Sequence, residues 1–163
     1  MTPTHATQFH ILLVEDNEDD VLLTKHAFGK IPWDIEIHVA SEGMAGLAML
    51  RREPPHENVP RPDLILLDLN MPRMDGRQML AEMKADPDLK SIPTVVLTTS
   101  DAEVDVATAY ASHANAYVTK PVDFRRFAQD IERLSQFWFD LVTLPQPARE
   151  ARRERGVLQS AAR

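Results

Sequence analysis

Residues 64–68 read LILLD, four aliphatic side chains in a row ending on a carboxylate. A short unbroken apolar run of this kind suits a strand buried on both faces. An aspartate at its end costs free energy unless it is paired or bound to a metal. Similar runs lie outward along the chain at Phe9–Val14, Thr94–Leu97 and Ala116–Val118, and each stops at polar residues. Ile35–Val39 instead alternates apolar with polar, as a strand nearer a sheet edge does. Helix-like segments fill the gaps at Glu18–Phe28, Glu42–Arg52, Gly76–Ala85, Asp101–Ser112 and Phe124–Phe139. Ser41 and Asp123 stand where N-caps are expected, Ser100 with Glu103 three positions on reads as a capping box, and Pro87 helps to end the third helix. Strands alternating with helices predict crossover connections, a parallel five-stranded sheet and helices on both faces: a doubly wound α/β domain.

The whole chain has 163 residues, enough for one domain plus tails, and its 44% hydrophobic and 26% charged content is ordinary for a globular protein. Its net charge of −7 repels a phosphate backbone, so nucleic acid is not an expected partner. The absence of cysteine excludes disulfides, thiol nucleophiles and cysteine-ligated metals, and fits a reducing compartment. Met1–His10 lacks the pattern of a signal peptide and no stretch approaches the roughly 18 apolar residues of a membrane span, so a cytoplasmic protein with no membrane contact is expected. Glycine-rich nucleotide loops, a GxSxG elbow and an HExxH pair are absent. The six histidines, His5, His10, His26, His38, His56 and His113, have no ligand-like spacing and read mostly as surface residues. Four prolines in Glu53–Pro62 mark a long stiffened loop before the third strand. The expected division is a tail over 1–8, a domain over 9–144 and a basic, solvated tail over 145–163. That last segment carries five arginines and two glutamates, a net +3 that leaves −10 for residues 1–144, and it is too short to bury a core of its own.

In a doubly wound sheet, ligands bind outside the carboxyl ends of the strands. Those ends carry Glu15 and Asp16 on the first strand, Asp68 on the third, Thr98 on the fourth and Lys120, followed by Pro121, on the fifth. Clustered carboxylates repel one another and need a compensating cation, and an all-oxygen set suits a hard divalent ion such as Mg²⁺. Glu18, Asp19 and Asp20 are accounted for separately, as acids favoured by the dipole at a helix start.

LLVEDNEDD at 12–20, LILLDLNMPRMDG at 64–76, VVLTTS at 95–100 and NAYVTKP at 115–121 together resemble the four signature blocks of bacterial two-component response-regulator receiver domains. The resemblance covers about Phe9 to Leu144. The proline-rich loop before Asp63, the TTSDAE stretch and FWFDLVTLP further resemble single-domain regulators paired with bacterial phytochrome histidine kinases. It implies a flavodoxin-like sheet in the order 2-1-3-4-5, and a chain that accepts a phosphoryl group from a sensor histidine kinase rather than an enzyme turning over a separate substrate. Asp68 would be the acceptor. Glu15, Asp16, Asp68 and the backbone carbonyl of Asn70 would hold Mg²⁺, Lys120 would contact the phosphoryl oxygens, and Thr98 and Tyr117 would act as a switch. A cis Lys120–Pro121 bond is also implied.

The alternative is a Mg²⁺-dependent phosphohydrolase with an aspartate nucleophile, resembling the haloacid-dehalogenase group. Such enzymes need a second acid two residues on, where this chain has Asn70, and a cap domain for which it has no room. A homodimer is expected through the end of the fifth helix. Phe124, Phe127, Ile131, Leu134 and Trp138 follow core-facing helical spacing, which leaves Phe137, Leu141 and Leu144 as a second apolar strip.

Overall fold

A computed structural model describes residues 7–71 and 73–145. Most of the N-terminal tail and nearly all of the basic C-terminal tail therefore lie outside the described residues. The elements are β1 (Phe9–Val14), α1 (Glu18–Phe28), β2 (Ile35–Ala40), α2 (Gly43–Leu50), β3 (Leu64–Leu67), α3 (Gly76–Ala85), β4 (Thr94–Thr98), α4 (Glu103–Ala111), β5 (Ala116–Thr119) and α5 (Phe124–Ser135). The five strands form one parallel sheet in the order β2-β1-β3-β4-β5, which is the expected doubly wound topology.

The apolar runs became strands because each side of the sheet is covered. Leu12, Val14, Ile65, Leu67 and Val96 pack beneath α2, α3 and α4 with Leu47, Met79, Leu80 and Met83. On the other side Phe9, Ile11, Leu64, Leu66 and Val95 pack beneath α1 and α5 with Phe28, Phe127 and Ile131. Each such side chain, once fully buried, stabilises the fold by roughly 1.5–3 kcal/mol. β2, at the edge, keeps its alternating pattern and is mostly half-buried.

Three helix starts are capped by side chains. Asn17 accepts from Asp20 N, Asp75 and Gln78 form a full capping box, and Asp123 accepts from Arg125 N. Only the last of these was expected. Ser41 does not cap α2, whose N-cap is Glu42, and Ser100 does not cap α4, whose N-cap is Ala102. The Ser100 hydroxyl is engaged by Asp105 instead, so α4 starts two residues later than the sequence suggested.

The end of α5 corrects the expected dimer strip. A π-helical segment follows over Gln136–Leu141, where Val142 N donates to Phe137 O at 3.0 Å, five residues back. The wider turn advances the core-facing position by one residue. Phe139 becomes the buried side chain and packs against Phe9, with ring centroids 4.6 Å apart and ring planes tilted by 33°, while Trp138 is only partly buried. The chain then leaves helical geometry at Val142 and tucks Leu144 into the core, where it is 2% exposed. Leu144 is therefore a core residue and not part of a dimer surface. Leu144→Ala is expected to destabilise the domain by about 2–5 kcal/mol in denaturant unfolding. The loss should be independent of protein concentration, whereas an interface residue would make it concentration-dependent.

Candidate functional site

The β1 and β3 ends lie side by side, and their last rungs aim the acids at one cleft. Glu15 N donates to Ala40 O at 3.0 Å and Asp68 N donates to Val14 O at 3.0 Å, so both residues continue the sheet ladder as their side chains leave it. A backbone N–H orients each carboxylate: Asn17 N donates to Glu15 Oε1 at 3.1 Å and Asn70 N to Asp68 Oδ1 at 3.3 Å. Oxygens of Glu15, Asp16 and Asp68 come within 4.8 Å of one another, an all-oxygen donor set of the kind hard divalent cations take. They line a cleft of about 620 Å³ with Asn17, Glu18, Asp19, Asp20, Asn70 and Thr99.

α3 is pressed against the acceptor loop. Gly76 N donates to Leu69 O at 3.0 Å, and a Cβ on Gly76 would stand 2.1 Å from the carbonyl oxygen of Asp68. Only glycine permits that approach.

Lys120 enters from the β5 end. Its backbone N–H donates to Thr98 O at 2.7 Å, while its ammonium is hydrogen-bonded to Glu15 and lies 3.4 Å from Asp20 and 3.8 Å from Asp68. Burial raises the Glu15 carboxyl to about 7 against the pull of Lys120. Burial also works against the ammonium, but the Glu15 hydrogen bond and the surrounding acids more than offset this and hold Lys120 above its ordinary value. The acidic cleft thus contains a fixed positive charge. The Lys120–Pro121 bond is trans, contrary to the expected cis form: the cis bond among the described residues is Pro54–Pro55. Proline narrows the preference for trans without removing it, and with this trans link Lys120 already reaches both its backbone and its carboxylate partners.

Thr98 lies beneath the rim rather than on it. It is fully buried, its Oγ1 has no hydrogen-bond partner among the described residues, and the neighbouring Thr99 faces the cleft. Strand alternation explains the exchange, because Thr98 shares the inward direction of Val96. An unpaired buried hydroxyl costs about 1–3 kcal/mol, so Thr98 stands to gain from any acceptor brought to this end of β4. Tyr117 pairs in register with Val96 and packs on the same side. Its hydroxyl donates to Ser100 O at 2.7 Å. The Ser100 hydroxyl donates to Asp105 Oδ2 at 2.5 Å, and Arg77 donates to Asp105 Oδ1 at 2.6 Å. These bonds, the Ser100 one first and the Arg77 one second, hold the Asp105 carboxyl below its usual range. A chain of polar contacts therefore runs from β5 through the β4–α4 loop to α3.

Arg77 and Asp105 carried no recognisable signal and Ser100 was readable only as a helix cap, since the pairings span 28 and 5 residues and depend on how α3 and α4 pack. Asp20 had one: Asn17 followed three residues later by an acid places Asp20 on the first turn, folded back over the rim. Tyr117→Phe is expected to lower stability by about 0.5–1.5 kcal/mol and to speed amide exchange in residues 100–105. Unchanged exchange there would show that the hydroxyl does not hold the loop.

Comparison with known proteins agrees with this geometry. Residues 11–132 match the family described as response regulator receiver domain. Response regulator Rcp1 of Synechocystis sp. is 45% identical over 135 residues, covering 83% of this chain and 92% of that protein. The crystal structure of the phosphorylated cyanobacterial phytochrome response regulator RcpA superposes with a TM-score of 0.82 at 43% identity, over 85% of this chain and 99% of that one. The Mn²⁺-bound form of Rcp1 gives a TM-score of 0.79 at 44% identity, over 84% and 99%.

Proposed function

This chain belongs to the response regulator receiver domain family, and we propose that it is a signalling protein that takes a phosphoryl group from a sensor histidine kinase onto Asp68. The observation that carries the reading is the convergence of Glu15, Asp16, Asp68 and Lys120 at one cleft. An Asp68 carboxylate oxygen attacks phosphorus, forming the O–P bond as the N–P bond of the phosphohistidine breaks. Lys120 is placed to meet the transferred oxygens, and the orphan Thr98 hydroxyl to accept one as its partner. Glu15, Asp16, Asp68 and the Asn70 carbonyl would hold Mg²⁺, supported by the oxygen donor set and by the Mn²⁺-bound form of Rcp1. A divalent ion bound there neutralises charge on the incoming group.

Once Thr98 turns toward that group, space beside α4 opens to the Tyr117 ring, and the contact of Tyr117 with Ser100 gives way. A ligand shifts such an equilibrium only by its differential affinity for the two states, and the orphan hydroxyl supplies that difference. The name of RcpA, a cyanobacterial phytochrome response regulator, supports a bacterial phytochrome as the kinase. The phosphohydrolase reading is not favoured by the family match.

The working unit is residues 9–144, flanked by the short segments 1–8 and 145–163, and it operates in the cytoplasm beside its kinase. No helix among the described residues is long and apolar enough to cross a membrane. The decisive experiment is transfer from labelled histidine kinases with and without Mg²⁺. Rapid, metal-dependent labelling of this protein by a phytochrome kinase is expected. A chain left unlabelled by every kinase, and by acetyl phosphate, would refute the reading.

The homodimer proposal retains Phe137, 46% exposed in the β5–α5 groove with Val118, Leu134 and Trp138, and Leu141, 75% exposed. Burying two such side chains per subunit contributes several kcal/mol, about 1.5–3 each, before association entropy is subtracted. Light scattering at micromolar protein should give twice the monomer mass, halved by Phe137→Asp with Leu141→Asp. A wild type that stays monomeric with and without phosphate would end the proposal.

A further inference from the structure

His10, Glu36 and His38 meet at the opposite end of the sheet from Asp68. His10 on β1 pairs in register with Glu36 on β2, and His38 pairs with Leu12, so strand alternation turns all three to one side of the edge pair. Five residues of strand separate His10 from Glu15, about 16 Å at the usual rise, so this cluster is distinct from the acidic cleft. His10 Nδ1 is 3.3 Å from His38 Nε2, His10 Nδ1 is 3.6 Å from Glu36 Oε2, and His38 Nε2 is 3.6 Å from Glu36 Oε1. A tetrahedral ion bound at about 2.0–2.1 Å separates its ligand atoms by about 3.3–3.4 Å. The His10–His38 spacing, which is also within hydrogen-bond reach, matches that edge length. Each of the two nitrogens lies slightly farther, 3.6 Å, from a different oxygen of the Glu36 carboxylate, beyond a good hydrogen bond but near enough for one of those oxygens to complete a ligand set.

We propose that His10, Glu36 and His38 form a site for a borderline divalent metal of the zinc class. The chemistry of the donors selects this class: two imidazole nitrogens and one carboxylate oxygen suit Zn²⁺, whereas Mg²⁺ prefers the all-oxygen cleft. The two histidine side chains are only 8% and 18% exposed, which holds their rings in place, while Glu36 is 49% exposed and leaves an open side for entry and for water as a fourth ligand. No cysteine elsewhere in the chain competes for the ion. Binding there would tie the edge strand β2 to β1 and add a metal-dependent element to the amino-terminal end of the sheet. The sequence concealed the site because positions 10, 36 and 38 become neighbours only through the β1–β2 register.

The test uses the untagged full-length chain, titrated calorimetrically with ZnCl₂ in excess Mg²⁺. One zinc per chain is expected, retained in an Asp16→Asn, Asp68→Asn double variant and weakened at least about tenfold by His38→Ala or by Glu36→Gln. Glu36 is half exposed, so its variant is expected to fold, and circular dichroism checks this for both. Co²⁺ added in place of zinc should give the visible absorption of a low-coordinate site in the wild type and lose it in His38→Ala. Equal zinc affinity in the wild type and both cluster variants would overturn the proposal, as would zinc binding that disappears with the acidic-cleft variant. Since the acidic-cleft variant also abolishes phosphorylation at Asp68, failure of this inference is distinguishable from failure of the signalling role.

Discussion

Asp68→Asn is expected to take up no phosphoryl group from a kinase or from acetyl phosphate, with intact-protein mass spectrometry showing only the unmodified chain. The amide keeps the size and most of the hydrogen-bonding shape of the carboxylate, so Asn70 N can still donate to the side-chain oxygen at this position. What disappears is the anionic nucleophile and one of the three acids grouped in the cleft. Losing a negative charge from a crowded, largely buried acidic site also relieves repulsion, so the variant should be at least as stable as the parent. That combination of complete loss of phosphorylation with no loss of stability separates a chemical role from a structural one. A wild-type yield of phosphoprotein from Asp68→Asn would place the acceptor elsewhere.

Gly76→Ala is expected to damage both stability and phosphorylation. The added methyl would meet the Asp68 carbonyl oxygen at 2.1 Å and the Leu69 Cα at 2.8 Å, and neither is the end of a flexible side chain. The backbone of the acceptor loop must move, or α3 must withdraw with its buried Met79, Leu80 and Met83. Forcing extra atoms into a packed site costs about 1–3 kcal/mol. Any shift of the Asp68 backbone also moves its carboxylate relative to Glu15, Asp16 and Lys120. A drop in the unfolding midpoint together with slower Mg²⁺-dependent phosphorylation is the expected outcome. A variant with wild-type stability and wild-type transfer would show that the loop yields without cost, contrary to the contact geometry.

The two predictions act on the same loop from different directions, one through its chemistry and one through its support. Leu144→Ala should leave the chemistry of folded protein intact while lowering stability, because Leu144 packs at the far side of the domain with Phe9 and Phe139 in one cluster. Comparing the three variants under identical conditions separates loss of nucleophile, loss of site geometry and loss of core.

Most of the architecture could be read from short-range pattern. LILL at 64–67 and FHILLV at 9–14 became strands buried throughout because a sheet covered on both sides demands continuous apolar runs, and that requirement is visible in any five-residue window. The residues ending those runs were readable as a site for a related reason: in this topology every strand carries its last residue to the same rim, so Glu15, Asp16, Asp68 and Lys120 converge whatever the details of packing. The chain itself therefore determined the sheet, the two layers of helices and the convergence of Glu15, Asp16, Asp68 and Lys120. Tertiary structure decided what depended on phase, register or contacts between distant elements. The exchange of Thr98 for Thr99 at the cleft wall came from which face of β4 turned inward, and the Ser100–Asp105–Arg77 chain from the packing of α3 against α4. The π turn brings Phe139 against the ring of Phe9, 130 residues away, a contact no local window contains. Proximity of His10, Glu36 and His38 required the β1–β2 register. A local window records the polarity and spacing of its own residues, whereas the position of a side chain among partners tens of residues away is set by the free energy of the whole packed arrangement.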